Sequence, residues 1–243
     1  TDSAIRLALD RYTARTGLTL GKVEAVLFDM DGVLYDSMPG HAKAWKAMCD
    51  EVGIDCDPDE FFAYEGRTGA STINLLFQRQ YGHGADEDTC RRLYAIKSAN
   101  FKAMGQPPLM HGAREAVGEV LRAGASAVLV TGSGQASILE RLAADYPGAF
   151  ALRVTAHDVV HGKPDPEPYL KGLDMAGVEK AHAVAVDNAP LGVESASRAG
   201  VFTIGVRTGP IEAGALTAAG ADIEINSMEE CTEVLAYLLD DKK

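Results

Sequence analysis

The sequence predicts an α/β fold: a doubly wound parallel sheet with an all-helical insertion straight after the first strand. Three observations carry that prediction. Four short apolar runs, at residues 25–28, 127–130, 183–186 and 201–206, are continuous rather than alternating, as expected of strands covered on both faces. Helix-period stretches separate the later runs, giving the βαβαβ alternation of an open sheet with right-handed crossovers. The first two runs lie nearly a hundred residues apart, too many for one crossover, and that stretch reads as helix for most of its length.

Taken in order, residues 1–22 form an N-terminal extension in which Ile5, Leu9 and Tyr12 mark a short helix. The core is assigned to residues 23–37 and 109–243, and the helical insertion to residues 38–108. Within the insertion, Trp45, Met48, Cys49 and Val52 recur at helical spacing, followed by Ile73, Leu76 and Phe77, then Leu93, Ile96 and Asn100. Ser37-Met38-Pro39 and Gln106-Pro107-Pro108 bracket it, and prolines at both joints suit a two-stranded hinge. In the core, Val117, Val120, Leu121 and Gly124 share one helical face, and Ile138, Leu139 and Leu142 another.

Composition excludes several function classes. At 243 residues the chain has room for one large domain with an insertion, or for two unequal domains. Its 47% hydrophobic and 24% charged content rules out a disordered, collagenous or coiled-coil protein. A net charge of −12 opposes nucleic acid and anionic membrane surfaces as partners. No stretch approaches the length of a membrane span, and no basic-then-apolar leader is visible. Cys49, Cys56, Cys90 and Cys231 show neither CxxC nor zinc spacing, so they are expected to be reduced thiols in a cytoplasmic protein. A small-molecule partner is expected, with a monomer favoured and a homodimer left open.

Ligands of open α/β sheets bind beyond the carboxyl ends of the strands, where Asp29, Thr131 and Asp187 follow the apolar runs. Asp29-Met30-Asp31-Gly32 sets two carboxylates two residues apart; they repel unless a cation or a proton intervenes. Alone, the motif also fits an exposed turn. Its company strengthens it: Thr131-Gly132-Ser133-Gly134 offers a hydroxyl and backbone amides leading into a helix, suited to phosphate oxygens. Lys163 is a cation held between Gly162 and Pro164, and Asp187-Asn188 adds two more oxygen ligands. Hard oxygen ligands at one sheet edge suit magnesium rather than zinc or copper.

Phe28-Asp29-Met30-Asp31-Gly32-Val33, Thr131-Gly132-Ser133, Gly162-Lys163-Pro164 and Asp187-Asn188-Ala189-Pro190-Leu191-Gly192 together resemble the four ordered motifs of the haloacid-dehalogenase superfamily. The insertion resembles the helical cap of its β-phosphoglucomutase-like branch, on a Rossmann-like core. The resemblance implies that Asp29 accepts the phosphoryl group and that Asp31 is the general acid and base. It implies that Thr131 and Lys163 hold the transferring oxygens, helped by Gly132 and Ser133. It also implies a Mg2+ cofactor bridging Asp29, the Asp31 carbonyl and the Asp187-Asn188 motif. The second aspartate argues against the magnesium-free dehalogenases of the superfamily.

Departures from the pattern speak to the substrate. The family's usual Glu-Asp is here Asp187-Asn188, one negative charge short, and Glu65 in the cap is the candidate to restore it as a further metal ligand. β-Phosphoglucomutases carry a lysine where Glu65 stands and an arginine where Gly69 stands, so the grip on a second phosphate is missing. The segment Glu65-Gly66-Arg67-Thr68-Gly69 most resembles members of the branch that hydrolyse inorganic pyrophosphate. His41 and Trp45 are kept as in the mutases, and His41 and Arg67 are assigned to the substrate. Glu65 and His41 also fit ordinary exposed positions, Arg67 pairs with Glu65 or reaches the leaving phosphate, and Asp36 reads as a helix cap or hinge contact. The expected activity is magnesium-dependent phosphohydrolysis, best matched by pyrophosphate. The alternatives are a sugar-phosphate mutase, an inactive phosphate-binding module resting on Asn188, and a phosphonatase using Lys43 or Lys46.

Overall fold

Six strands pair in one parallel sheet: β1 (Ala25–Phe28), β2 (Ser126–Val130), β3 (Leu152–Val154), β4 (Ala183–Asp187), β5 (Phe202–Val206) and β6 (Ile223–Ile225). Their order is β3-β2-β1-β4-β5-β6, that of the doubly wound Rossmann-like folds. This computed structural model describes residues 2–133 and 136–240, without the side chains of 136–139; Gly134 and the side chains of Ile138 and Leu139 therefore lie outside the described residues.

The four apolar runs become β1, β2, β4 and β5 because each is covered on both faces. On one side Val26, Phe28, Val184, Val186, Phe202 and Ile204 pack with α1 (Asp2–Thr16), α6 (Ala113–Arg122) and α11 (Met228–Leu238). On the other, Ala25, Leu27, Val128, Val130 and Ala185 meet Tyr169 and Leu173 of α8 (Glu167–Ala176) and Ala196 and Ala199 of α9 (Pro190–Ala199). The N-terminal extension is part of this core. Ile5, Ala8 and Tyr12 are buried, Tyr12 meets the Phe202 ring edge-on, and Arg15 bonds to Asp222 at 2.7 Å.

The insertion consists of α2 (Met38–Val52), α3 (Glu60–Ala63), α4 (Gly69–Tyr81) and α5 (Glu87–Ala103), which bury a separate cluster around Trp45, Met48, Phe61, Ile73 and Leu76. Its two connections run side by side: Tyr35 bridges Leu109, and the Asp36 N–H donates to the Pro108 carbonyl at 2.9 Å. The Asp36 main chain thus joins the two connections. Two predicted faces need correction. On α5 the buried line is Cys90, Leu93, Lys97 and Phe101, one step round from Leu93, Ile96 and Asn100. On α6, Leu121 is exposed and Gly124 lies beyond the helix end, leaving Val117 and Val120 to face the sheet.

Candidate active site

The strand order reverses at β1, whose neighbours are β2 and β4, so a crevice opens at the carboxyl ends of these three strands. Register places the chemistry there. Phe28 is level with Leu129 and Val186, and the Asp29 N–H extends the ladder to the Val186 carbonyl at 3.0 Å. Asp29, Asp31, Thr131, Gly132, Ser133, His41, Glu65 and Arg67 all line one cavity of about 90 Å³. Lys163, in the loop before α8, lies behind Asp29 and lines a neighbouring cavity with Gly66, Thr131 and Gly132.

Lys163 is buried and its ammonium lies between two carboxylates, 2.6 Å from Asp29 Oδ1 and 2.7 Å from Asp187 Oδ2. Burial works against its charge, but Asp187 and Asp29 outweigh it and hold the amine protonated well above its usual range. Asp29 is raised to about 7, first by burial, with Asp187 and Asp31 adding to the shift and Lys163 opposing it. Asp187 also accepts from the Tyr169 hydroxyl at 2.6 Å and from the Ala189 N–H at 3.1 Å. Both Asp187 oxygens are thus engaged, one of them by the Lys163 ammonium. Thr131 is fixed by its own N–H on the Val154 carbonyl and by accepting from the Ser133 N–H at 3.1 Å.

Asp31 belongs to a different network. Its Oδ1 accepts from Ser37 Oγ at 2.5 Å and meets His41 Nε2 at 3.2 Å. The other ring nitrogen of His41 accepts from Lys97 Nζ at 2.7 Å, so a neutral His41 carries its proton on Nε2 and donates it to Asp31. Burial would raise the Asp31 pKa, but His41, the Ser37 hydroxyl and Lys97 bring it down to about 2. Lys97 is only 4% exposed, with its ammonium within 6 Å of the ring centroids of Trp45, Tyr94 and Phe101. Burial depresses its pKa to about 8, against the pull of Asp31.

Across the crevice the cap touches the core. Asn188 Nδ2 donates to Glu65 Oε2 at 2.9 Å, joining the two residues that the charge argument had paired. Gly32, at φ 79°, lets Asn188 come this close, since a Cβ there would lie 2.0 Å from the Asn188 side chain. Glu65 Oε1 and Asn188 Oδ1 are buried without a hydrogen-bond partner. Burial, then Asp29, Asp31 and Asp187, drive the Glu65 pKa well up. Two orphaned acceptor oxygens among crowded carboxylates are the environment a hard divalent cation satisfies. Among the described residues no three His, Cys, Asp or Glu side chains form a metal cluster on their own. A ligand set that fits would therefore be mixed, the Asn188 amide oxygen joining carboxylates such as Glu65.

Arg67 donates to Ser71 Oγ at 3.1 Å, not to Glu65, and its Nε is buried without a partner. Lys43 is exposed and Lys46 pairs with Asp50 on the helix surface, so neither phosphonatase candidate lines the cavity. Sequence reasoning missed Ser37, Lys97 and Tyr169. Lys97 had a signal, a lysine four residues after Leu93 and four before Phe101 on one helix face; Tyr169 had none.

Residues 23–200 match the haloacid dehalogenase-like hydrolase family. The chain belongs to that family. It is 31% identical to a phosphorylated carbohydrates phosphatase of Thermotoga maritima, over 89% of this chain and all of that one. It is 30% identical to a validoxylamine A 7'-phosphate phosphatase of Streptomyces hygroscopicus subsp. limoneus, over 76% of this chain and 86% of the relative. A solved structure from Bacteroides vulgatus, carrying a provisional β-phosphoglucomutase name, superposes with a TM-score of 0.93 at 39% identity, covering 99% of this chain and 100% of that one. The chain is a haloacid-dehalogenase-type phosphatase with a β-phosphoglucomutase-like architecture.

Proposed function

We propose that this phosphatase passes the phosphoryl group of a small substrate through the Asp29 carboxylate in a magnesium-dependent hydrolysis, with inorganic pyrophosphate as the leading substrate. The observation that carries the phosphoryl-transfer reading is the Lys163 ammonium held between Asp187 and Asp29, the latter lining a cavity with Thr131.

Asp29 attacks phosphorus in line, and the acyl phosphate it forms is readily hydrolysed. Lys163 and the Thr131 hydroxyl take the transferring oxygens, with the Gly132 and Ser133 amides beside them. Asp31, aimed by Ser37 and His41, protonates the leaving oxygen and then takes the proton of the attacking water. A phosphate dianion docking beside Asp31 adds like charge and raises its affinity for the proton it must deliver. Asp29, the Asp31 carbonyl, Asn188 and Glu65 would hold a magnesium ion, which would supply positive charge to draw electron density from the phosphoryl group.

Two features support pyrophosphate. Glu65 meets Asn188, where its carboxylate, once ionised against a bound cation, would restore the missing charge. Tyr94 covers Gly69 so closely that a Cβ there would lie 2.1 Å from its ring, leaving no space for a second phosphate-gripping arginine. The names of the relatives, and the aromatic wall of Trp45, Phe61, Tyr64 and Tyr94, favour a second reading, a sugar phosphate.

A phosphate-release panel of pyrophosphate, sugar phosphates and nucleotides, with magnesium present, tests both. Pyrophosphate is expected to turn over fastest, and Glu65→Ala to cut it at least about tenfold more than an organic phosphate. Faster sugar-phosphate release selects the second reading. Glucose 6-phosphate forming from β-glucose 1-phosphate faster than free phosphate selects a mutase, and no magnesium-dependent release from any substrate sinks the proposal.

A further inference from the structure

The helix that follows the phosphate loop ends against both strands that carry the cap. This helix, α7 (Ala136–Asp145), starts shortly after Ser133. Arg141, in its second half, donates through one terminal nitrogen to the Pro107 carbonyl at 2.6 Å and to the Gln106 side chain at 3.1 Å. Its Nε meets the Asp145 carboxylate at 2.7 Å, and its guanidinium lies over the Tyr35 ring, 4.7 Å from the centroid. Asp145 in turn accepts from the Tyr35 hydroxyl at 3.0 Å. Tyr35 lies on the strand entering the cap and Pro107 on the one leaving it. One residue beyond α7, the Tyr146 hydroxyl donates to the Leu34 carbonyl at 2.7 Å.

Upstream, the same strand closes the loop that bears both aspartates. The Gly32 N–H donates to the Tyr35 carbonyl at 2.8 Å, and the N–H groups of Leu34 and Tyr35 return to the Met30 carbonyl. Arg141 therefore stands where the phosphate-loop helix, the Asp29–Asp31 loop and the returning cap strand meet. A lone exposed ion pair would mean little in such a place. This guanidinium is engaged by a carbonyl, a carboxylate, an amide and an aromatic face at once, a combination that its planar fork allows and an ammonium does not.

We propose that Arg141 is the positioning residue that holds the cap in register over Asp29. It touches no reacting atom. By fixing the Tyr35 and Pro107 strands to α7, it sets where the cap carries His41, Glu65 and Arg67 relative to Thr131 and Lys163. The inference goes beyond the substrate reading and stands whichever phosphate is hydrolysed. A slip of about 1 Å between such groups is enough to cost on the order of a hundredfold in rate.

The only tryptophan in the chain gives a direct readout, because Trp45 lies in the cap and lines the cavity. The test compares wild type with Arg141→Ala, Arg141→Lys and Tyr35→Phe, measuring kcat and KM on the best substrate of the panel. Trp45 fluorescence is titrated in parallel with orthophosphate in the presence of magnesium. Arg141→Ala is expected to lower kcat/KM on the order of tenfold or more and to weaken the orthophosphate-dependent Trp45 signal. Lysine keeps the charge without the fork and should recover only part of both. Tyr35→Phe removes one hydroxyl and should show the same pattern more weakly, deciding the matter if the alanine variant does not fold. Variants that melt earlier yet match wild type in kcat, KM and the Trp45 titration would reduce Arg141 to a structural role and overturn the proposal.

Discussion

Lys97 sets burial against charge within a single side chain. Loss of water pulls its pKa from 10.5 to about 8, even with Asp31 drawing it upward. Below pH 8 folded and unfolded chains both carry the proton, and the folded state bears the whole cost of the buried charge. Between pH 8 and 10.5 the unfolded chain still holds a proton that the folded one has released, so stability rises with pH across that window. The shift corresponds to about 3 kcal/mol, less about 1 kcal/mol for the hydrogen bond to His41. Lys97→Met is therefore expected to resist urea better than wild type at pH 7, with the difference shrinking toward pH 10. A constant difference across that range would contradict a charged, buried Lys97. The same variant should lose activity, because His41 loses the donor that fixes its tautomer toward Asp31. A residue that weakens the fold and is kept in the cavity is most simply explained by function.

Among the elements, α1 adds one arginine's bonds to the apolar docking of Ile5, Ala8 and Tyr12. Arg15 bonds to Asp222 and to the carbonyls of Ser197 and Val201, while Asp222, 2% exposed, also accepts from the Thr203 N–H. Arg15→Ala leaves that buried carboxylate short of its cation. The expected cost is about 2 kcal/mol, below the range for a fully buried pair because Arg15 is partly exposed. In a chain of this size that lowers the melting temperature by about 4–8 °C; an unchanged melt would mean that α1 is not held this way. Nothing in Ile5, Leu9 and Tyr12 revealed this docking, because the partners lie about two hundred residues away in sequence. Strands were legible where both faces are buried. β3 and β6 were not, since each is three residues long at a sheet edge and is interrupted by Arg153 or Glu224. On α5 the apolar pattern pointed one step away from Lys97, whose ammonium is covered by Trp45 of α2 as well as by Tyr94 and Phe101 of its own helix. The strand-end rule found Asp29, Thr131 and Asp187, while the pairing of Glu65 with Asn188 was legible only through the charge missing from a familiar motif.

At the scale of the whole molecule, cap and core meet at a site where Asp29, Asp31 and Asp187 crowd Glu65 and only Lys163 opposes them, in a chain already at −12. A divalent cation that relieves this crowding binds the closed fold and not the unfolded chain. Magnesium is therefore expected to raise the melting temperature, by the equivalent of about 2.7 kcal/mol at a hundred times its dissociation constant. Glu65→Ala and Asn188→Ala should each diminish the rise; an undiminished rise in both would put the cation elsewhere. The central claim is that phosphorus passes to Asp29, and the most direct measurement is to acid-quench the enzyme during turnover of radiolabelled substrate and map the protein-bound phosphate. The account predicts label on the peptide containing Asp29, and neither label nor turnover in Asp29→Asn. Label on another residue, or hydrolysis continuing in that variant, would contradict it.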